Sequence, residues 1–188
     1  MRYVLAIALL AAGCGTSPKE QYYTLASGAA PVPATANASA TATSVFVGPV
    51  SVPESVDRSP LVLRTSPTQV EIDDFHRWAE PLKAAIPRVL AEALTRELAS
   101  PRVMASRHAS SGKFDYRVAV EIQRFESSLA EGALLDALWT VTPAQGAPRP
   151  GRTLAQEANP AGDRAGVAAA HSRALQKMAA EIAAAIQR

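Results

Sequence analysis

Phe114-Asp115-Tyr116-Arg117-Val118-Ala119-Val120-Glu121-Ile122-Gln123-Arg124-Phe125 is the stretch that decides the fold. Apolar and polar side chains alternate along it, and a period of two describes an extended chain with one face in the core and the other toward solvent. The run is long for a strand. Downstream, Ala133 to Val141 and Thr153 to Glu157 also have strand character and are separated by the Pro- and Gly-containing loop Pro143 to Gly151. They are expected to lie beside the long strand as antiparallel neighbours.

Beyond these strands the period changes. From about Asp163 to Gln187, Val167, Ala174, Leu175, Met178, Ile182 and Ile186 form one apolar face at helical spacing. Upstream, Leu82, Ile86, Val89, Leu90, Ala93, Leu94 and Leu98 do the same between Glu80 and Ala99. Pro81 suits a first helical turn, and Pro87 is expected to bend the start of that helix. Asp73, Asp74 and His76 precede it and are read as a helix-start cluster, because acidic residues favour a first turn. Before them, Leu61-Val62-Leu63-Arg64 and Gln69-Val70-Glu71-Ile72 flank Ser66-Pro67-Thr68, the pattern of a hairpin. Ser44 to Pro53 is β-branched and reads as a strand bent at Gly48-Pro49, and Gln21 to Leu25 as a first strand. The expectation is an α/β fold over residues 21–188: one domain, a mostly antiparallel sheet and two main helices packed on one face. Residues 28–43, almost all Ala, Pro, Thr, Ser and Asn, have no apolar periodicity and are expected to form a mobile loop.

The first residues speak to compartment rather than fold. Arg2, an apolar run from Tyr3 to Ala12 and the small residues Ala11-Ala12-Gly13 before Cys14 have the layout of a signal peptide, residues 1–13. The run is about ten residues, half of the roughly 20 needed to span a bilayer core as a helix. Leu10-Ala11-Ala12-Gly13-Cys14 resembles a bacterial lipobox, with Leu one place further back than usual. That resemblance implies a diacylglyceryl group and an acyl chain, such as palmitate, on Cys14, with residues 14–20 as tether. Cys14 is the single cysteine, so an exported chain cannot use it for an internal disulfide. Gly15 follows it, and since enteric lipoproteins kept in the inner membrane carry Asp there, the outer membrane, facing the periplasm, is the implied address.

Composition removes other classes. The formal net charge is +2, falling to +1 without Arg2, and no basic block occurs, so nucleic-acid binding has no electrostatic footing. The histidines at 76, 108 and 171 show no metal-binding spacing, and no nucleophile elbow or phosphate loop is present. His108 is placed in a Ser-rich loop, and His171 is read as a boundary or satisfied core residue. No enzyme, metal or dissociable cofactor is expected.

Tyr22-Tyr23-Thr24-Leu25, Val47-Gly48-Pro49-Val50, Asp57-Arg58-Ser59-Pro60-Leu61-Val62-Leu63-Arg64 and Phe75-His76-Arg77-Trp78-Ala79-Glu80-Pro81-Leu82 follow one another at a characteristic spacing. Together with Tyr116-Arg117-Val118, Arg124-Phe125 and Leu138-Trp139 they resemble the PqiC-type family of ABC-type transport auxiliary lipoproteins. The resemblance implies a non-enzymatic component of an Mce-type lipid-transport system that docks the periplasmic Mce-domain protein at the outer membrane; self-association as a homo-oligomer stays open. The competing expectation is a structural lipoprotein supporting an outer-membrane or cell-wall assembly. Arg58, Arg64, Arg77 and Trp78 are the expected docking residues, since Arg and Trp are over-represented at binding hot spots. The alternative for Trp78 is packing over the start of the first helix, and for Arg77 an ion pair with a nearby carboxylate.

Overall fold

The computed structural model describes residues 19–28, 42–100, 102–105 and 112–188. The expected signal segment, Cys14, most of the Ala/Pro/Thr-rich stretch and His108 lie outside the described residues. In chain order the elements are β1 (Gln21–Tyr23), β2 (Val45–Ser51), β3 (Pro60–Ser66), β4 (Gln69–Trp78), α1 (Leu82–Glu97), β5 (Val103–Ala105), β6 (Tyr116–Ser128), β7 (Gly132–Pro143), β8 (Arg149–Glu157) and α2 (Arg164–Gln187).

The long alternating strand, β6, is the spine of one eight-stranded sheet. Along one edge β7 pairs with it antiparallel from Tyr116↔Pro143 to Ser128↔Gly132, and β8 continues antiparallel beyond β7. The other edge is shared: β2 runs parallel to its first half, from Val45↔Tyr116 to Ser51↔Glu121, and β3 meets its far end at Leu63↔Ser127. β5 lies parallel outside β2, while β4 pairs antiparallel with β3 and carries the short parallel strand β1. The antiparallel pairings carry the longest registers, as expected, but the four parallel ones make the sheet mixed. Parallel neighbours need a crossover, and the passage through α1 supplies the one between β2 and β5.

Both helices cover the same face of the sheet and pack on each other, α1 over β2 and β5, α2 over β7 and β8. Val45, Val47, Val118 and Val120 rise from the strands to meet Ile86, Leu90 and Leu94 of α1 and Leu175, Met178 and Ile182 of α2, all buried. Each such aliphatic side chain contributes about 1.5–3 kcal/mol on burial. The Ala-rich α2 has high helix propensity, and Asp163 caps it by accepting from the Gly166 amide at 2.7 Å. α1 begins after Pro81 and carries Pro87 within it. It ends through Ala99, which takes a left-handed φ of 47° while the Ser100 amide donates back to the Thr95 carbonyl.

Two expectations are corrected. Asp73, Asp74 and His76 do not start a helix; they lie in β4, which continues to Trp78. Local propensity is overruled there by a contact made across the chain, since Asp73 is buried and bonded to Arg164 of α2. β8 starts at Arg149 rather than Thr153, which shortens the loop before it. Gly151 makes the early start workable: it sits opposite Trp139, whose ring lies across it, and a Cβ there would come within 2.2 Å of the indole.

Candidate functional site

A buried polar cluster sits beneath the end of β6. Ser127 and His171 meet through Oγ and Nε2 at 2.8 Å, and the imidazole stacks on Phe125 at 3.8 Å between centroids, with Trp78 edge-on to both rings. A serine beside a histidine invites comparison with a nucleophile and its base. The geometry differs from that arrangement in two ways: among the described residues His171 Nδ1 has no hydrogen-bond partner to orient the ring, and complete burial pushes its pKa down to about 3. A base that weak holds no proton at neutral pH, and His171 is fully buried, so the pair packs as part of the core. Among the described residues, no three His, Cys, Asp or Glu side chains come together as a metal site.

A second polar node ties the sheet to α2. Asp73 accepts from His76 Nδ1 at 2.8 Å and from Arg164 at 2.9 Å. Burial works against its charge, but the hydrogen bonds from His76 and Arg164 outweigh it and hold the carboxyl below the usual range. On the sheet face away from the helices, Asp136 and Arg152 form a two-pronged pair at 2.7 and 2.8 Å that lowers the Asp136 pKa.

The four expected docking residues separate into different situations. Trp78 is 5% exposed and belongs to the core, so the packing alternative is the one realised for the indole. Arg64 is bound to Glu126 at 3.0 Å and to Glu131. Arg77 lies 3.4 Å from Glu20 and donates from Nε to the Asp74 carbonyl, so the ion pair anticipated for it is present. Arg58 alone of the four is exposed with no side-chain partner among the described residues. It stands on the rim of a cleft of about 310 Å³ whose wall includes Trp78, with Asp57, Ser59, Ala79, Glu80 and Pro81 completing it. The sequence brings these residues to one place because β3 and β4 run antiparallel: the turn residues before Pro60 and the residues after Trp78 end up side by side, with the Trp78 amide donating to the Ser59 carbonyl at 2.7 Å.

Sequence reasoning missed a second surface at the other end of the same hairpin. Val56, Val62, Arg64, Pro67 and Val70 line a groove of about 320 Å³ between the hairpin and the end of β6. Val70 and Ile72 are 58% and 46% exposed. The signal was legible in principle, since Val70 and Ile72 alternate with Gln69 and Glu71, but alternation does not say which face is covered.

No helix among the described residues is long and apolar enough to cross a membrane. No curated protein matches this sequence. Two solved structures are similar in fold. One is an uncharacterized protein, with TM-score 0.66 and 18% identity over 89% of this chain and 99% of that one. The other is protein XCC0632 from Xanthomonas campestris, with TM-score 0.59 and 20% identity over 87% and 92% of the two chains. The model of the family described as ABC-type transport auxiliary lipoprotein component matches residues 23–183, so this chain belongs to that family.

Proposed function

We propose that the protein is a non-enzymatic, lipid-anchored component of an Mce-type ABC lipid-transport system, held at the periplasmic face of the outer membrane through Cys14, where it docks the periplasmic Mce-domain protein. Family membership supports the transport association. The single observation that carries the docking role is the Arg58 cleft: a guanidinium with no side-chain partner among the described residues, beside a concave surface walled by Trp78. An exposed arginine freed from internal ion pairs can neutralise an acidic or carbonyl-rich element of a partner at little cost in this fold. Arg64 and Arg77 lie outside that cleft, Arg64 in the groove at the other end of the hairpin, and their charges are already matched by Glu126, Glu131 and Glu20. Durable anchoring takes two or three acyl chains, which a lipidated Cys14 supplies.

The test is co-purification from detergent-solubilised membranes. The expected result is recovery of the permease, ATPase and Mce-domain protein with the wild-type chain. Cys14→Ser should abolish palmitate labelling and release the protein from outer membranes. Labelling of both forms alike, or wild type that brings down no transport component, contradicts the reading.

A further inference from the structure

Exposed apolar side chains are not spread evenly over this molecule. Of the seven large exposed hydrophobics among the described residues, Tyr22, Val70, Ile72 and Phe75 lie on the neighbouring strands β1 and β4. Val70 and Ile72 share one face of the hairpin with their register partners Arg64 and Val62. Among the described residues, the outer edge of β4 from Gln69 to Phe75 carries no strand, because β1 pairs only from His76 to Trp78. A long apolar edge strand left open in this way is a hazard unless something covers it.

The direction of β1 points to what that is. β1 is parallel to β4, with Gln21 opposite His76, so the chain before Gln21 departs toward Gln69 and the Pro67 turn. Its departure is held at Glu20, which accepts from the Tyr22 hydroxyl at 2.5 Å and pairs with Arg77. Cys14 and Gln21 are seven positions apart, as are Gln69 and His76. At roughly 3.3–3.6 Å per extended residue, the tether reaches about 25 Å, the distance from His76 to the hairpin tip at a strand rise of about 3.3 Å. An extended tether of that length lets an anchor at Cys14 reach the side of the apolar tip, whereas the Arg58 cleft sits at the opposite end of the hairpin.

We infer that the β3–β4 hairpin is a membrane seat: the face bearing Val62, Val70 and Ile72, flanked by Tyr22 and Phe75, rests in the lipid interface of the membrane that holds Cys14. Aromatic residues at the margin of an apolar patch suit the headgroup region. The nearby charges Glu20, Asp74 and Arg77 sum to −1, so the seat offers no positive charge that would call for anionic lipid. Seated this way, the domain stands with its Arg58 cleft away from the bilayer. The inference rests on the Cys14 anchor of the proposed function, and its test replaces that anchor.

The chain from residue 14 onward, with Cys14→Ser and an N-terminal His tag, is tethered to vesicles of phosphatidylethanolamine and phosphatidylglycerol containing a nickel-chelating lipid. An environment-sensitive dye is placed at Val70→Cys, and in a separate protein at Leu154→Cys, which is 59% exposed on β8. The expected result is a several-fold rise in emission at position 70, shifted to the blue and quenched by spin-labelled lipid, with no change at 154. Emission at 70 that stays at its value in water overturns the inference whether or not Cys14 is lipidated. So does a shift at 70 that appears only when the Mce-domain protein is added, which would make the hairpin a protein-docking surface. Palmitate labelling of the wild type reports on the anchor alone.

Discussion

The two ends of the sheet treat apolar side chains in opposite ways. Over β6, β7 and β8 the alternation is obeyed, so Ala133, Leu135, Ala137, Trp139 and Val141 all turn toward α2 and are buried. Over the β3–β4 hairpin the same period leaves Val70 and Ile72 in water. The difference is one of face: Leu61 and Leu63 of the hairpin turn into the core, as the β7 set does, while Val70 and Ile72 share the opposite face with Val62 and Arg64, where they stay exposed. The closed end makes the domain stable; the open end is where the protein can still gain by contact.

The largest expected effect comes from breaking the junction between the two regions. Trp78→Ala removes an indole packed against Phe125 and His171, and thermal or denaturant melts should show a loss of about 3–5 kcal/mol, as for other buried aromatics cut to alanine. A loss near zero would mean that the closed region ends before β4.

Acid sharpens the same contrast. His171 has an ordinary pKa of 6.5 in the unfolded chain and about 3 in the fold, so between those values the unfolded state binds the extra proton. Its contribution is fully present above pH 6.5 and is lost progressively as pH falls toward 3, with a slope of up to about 1.4 kcal/mol per pH unit. Asp73 and Asp136, whose pKa values are lowered, add to the loss only once pH falls below their usual 3.8. His171→Phe should flatten the limb between pH 6.5 and 3 while leaving the steeper fall below it. A wild-type melt that is flat across that window would show that water reaches His171.

At the open end the expectation reverses. Val70→Ser with Ile72→Ser should change stability by less than about 0.5 kcal/mol per site, because both side chains are already largely exposed. A loss of several times that amount would show that the hairpin face is covered in the isolated protein.

Much of the closed region is legible in the sequence. The alternation from Phe114 to Phe125 is β6, the helical stripe from Val167 to Ile186 is α2, and Pro67 marks the hairpin turn, because each signal is local. What escaped is what depends on distant partners. Asp73 and His76 look like a helix start until Arg164, 91 residues away, is seen to hold Asp73 in a strand. The three-residue strand β5 is too short to carry a period and exists because β2 offers it an edge. Parallel pairing of β1 with β4 leaves no mark on either segment. In the candidate site, residue type pointed to four docking residues, but only packing could separate Trp78, buried in the core, from Arg58, exposed at the cleft.

The account stands most directly on Arg58. Arg58→Glu is exposed and touches no internal partner among the described residues, so its melting temperature should match wild type. The affinity of each form for the purified Mce-domain protein, measured by calorimetry, is the deciding number. The account predicts a loss of about 2 kcal/mol or more, roughly thirtyfold in Kd, for the variant. Equal affinity for the two forms, at equal stability, would contradict docking through the Arg58 cleft.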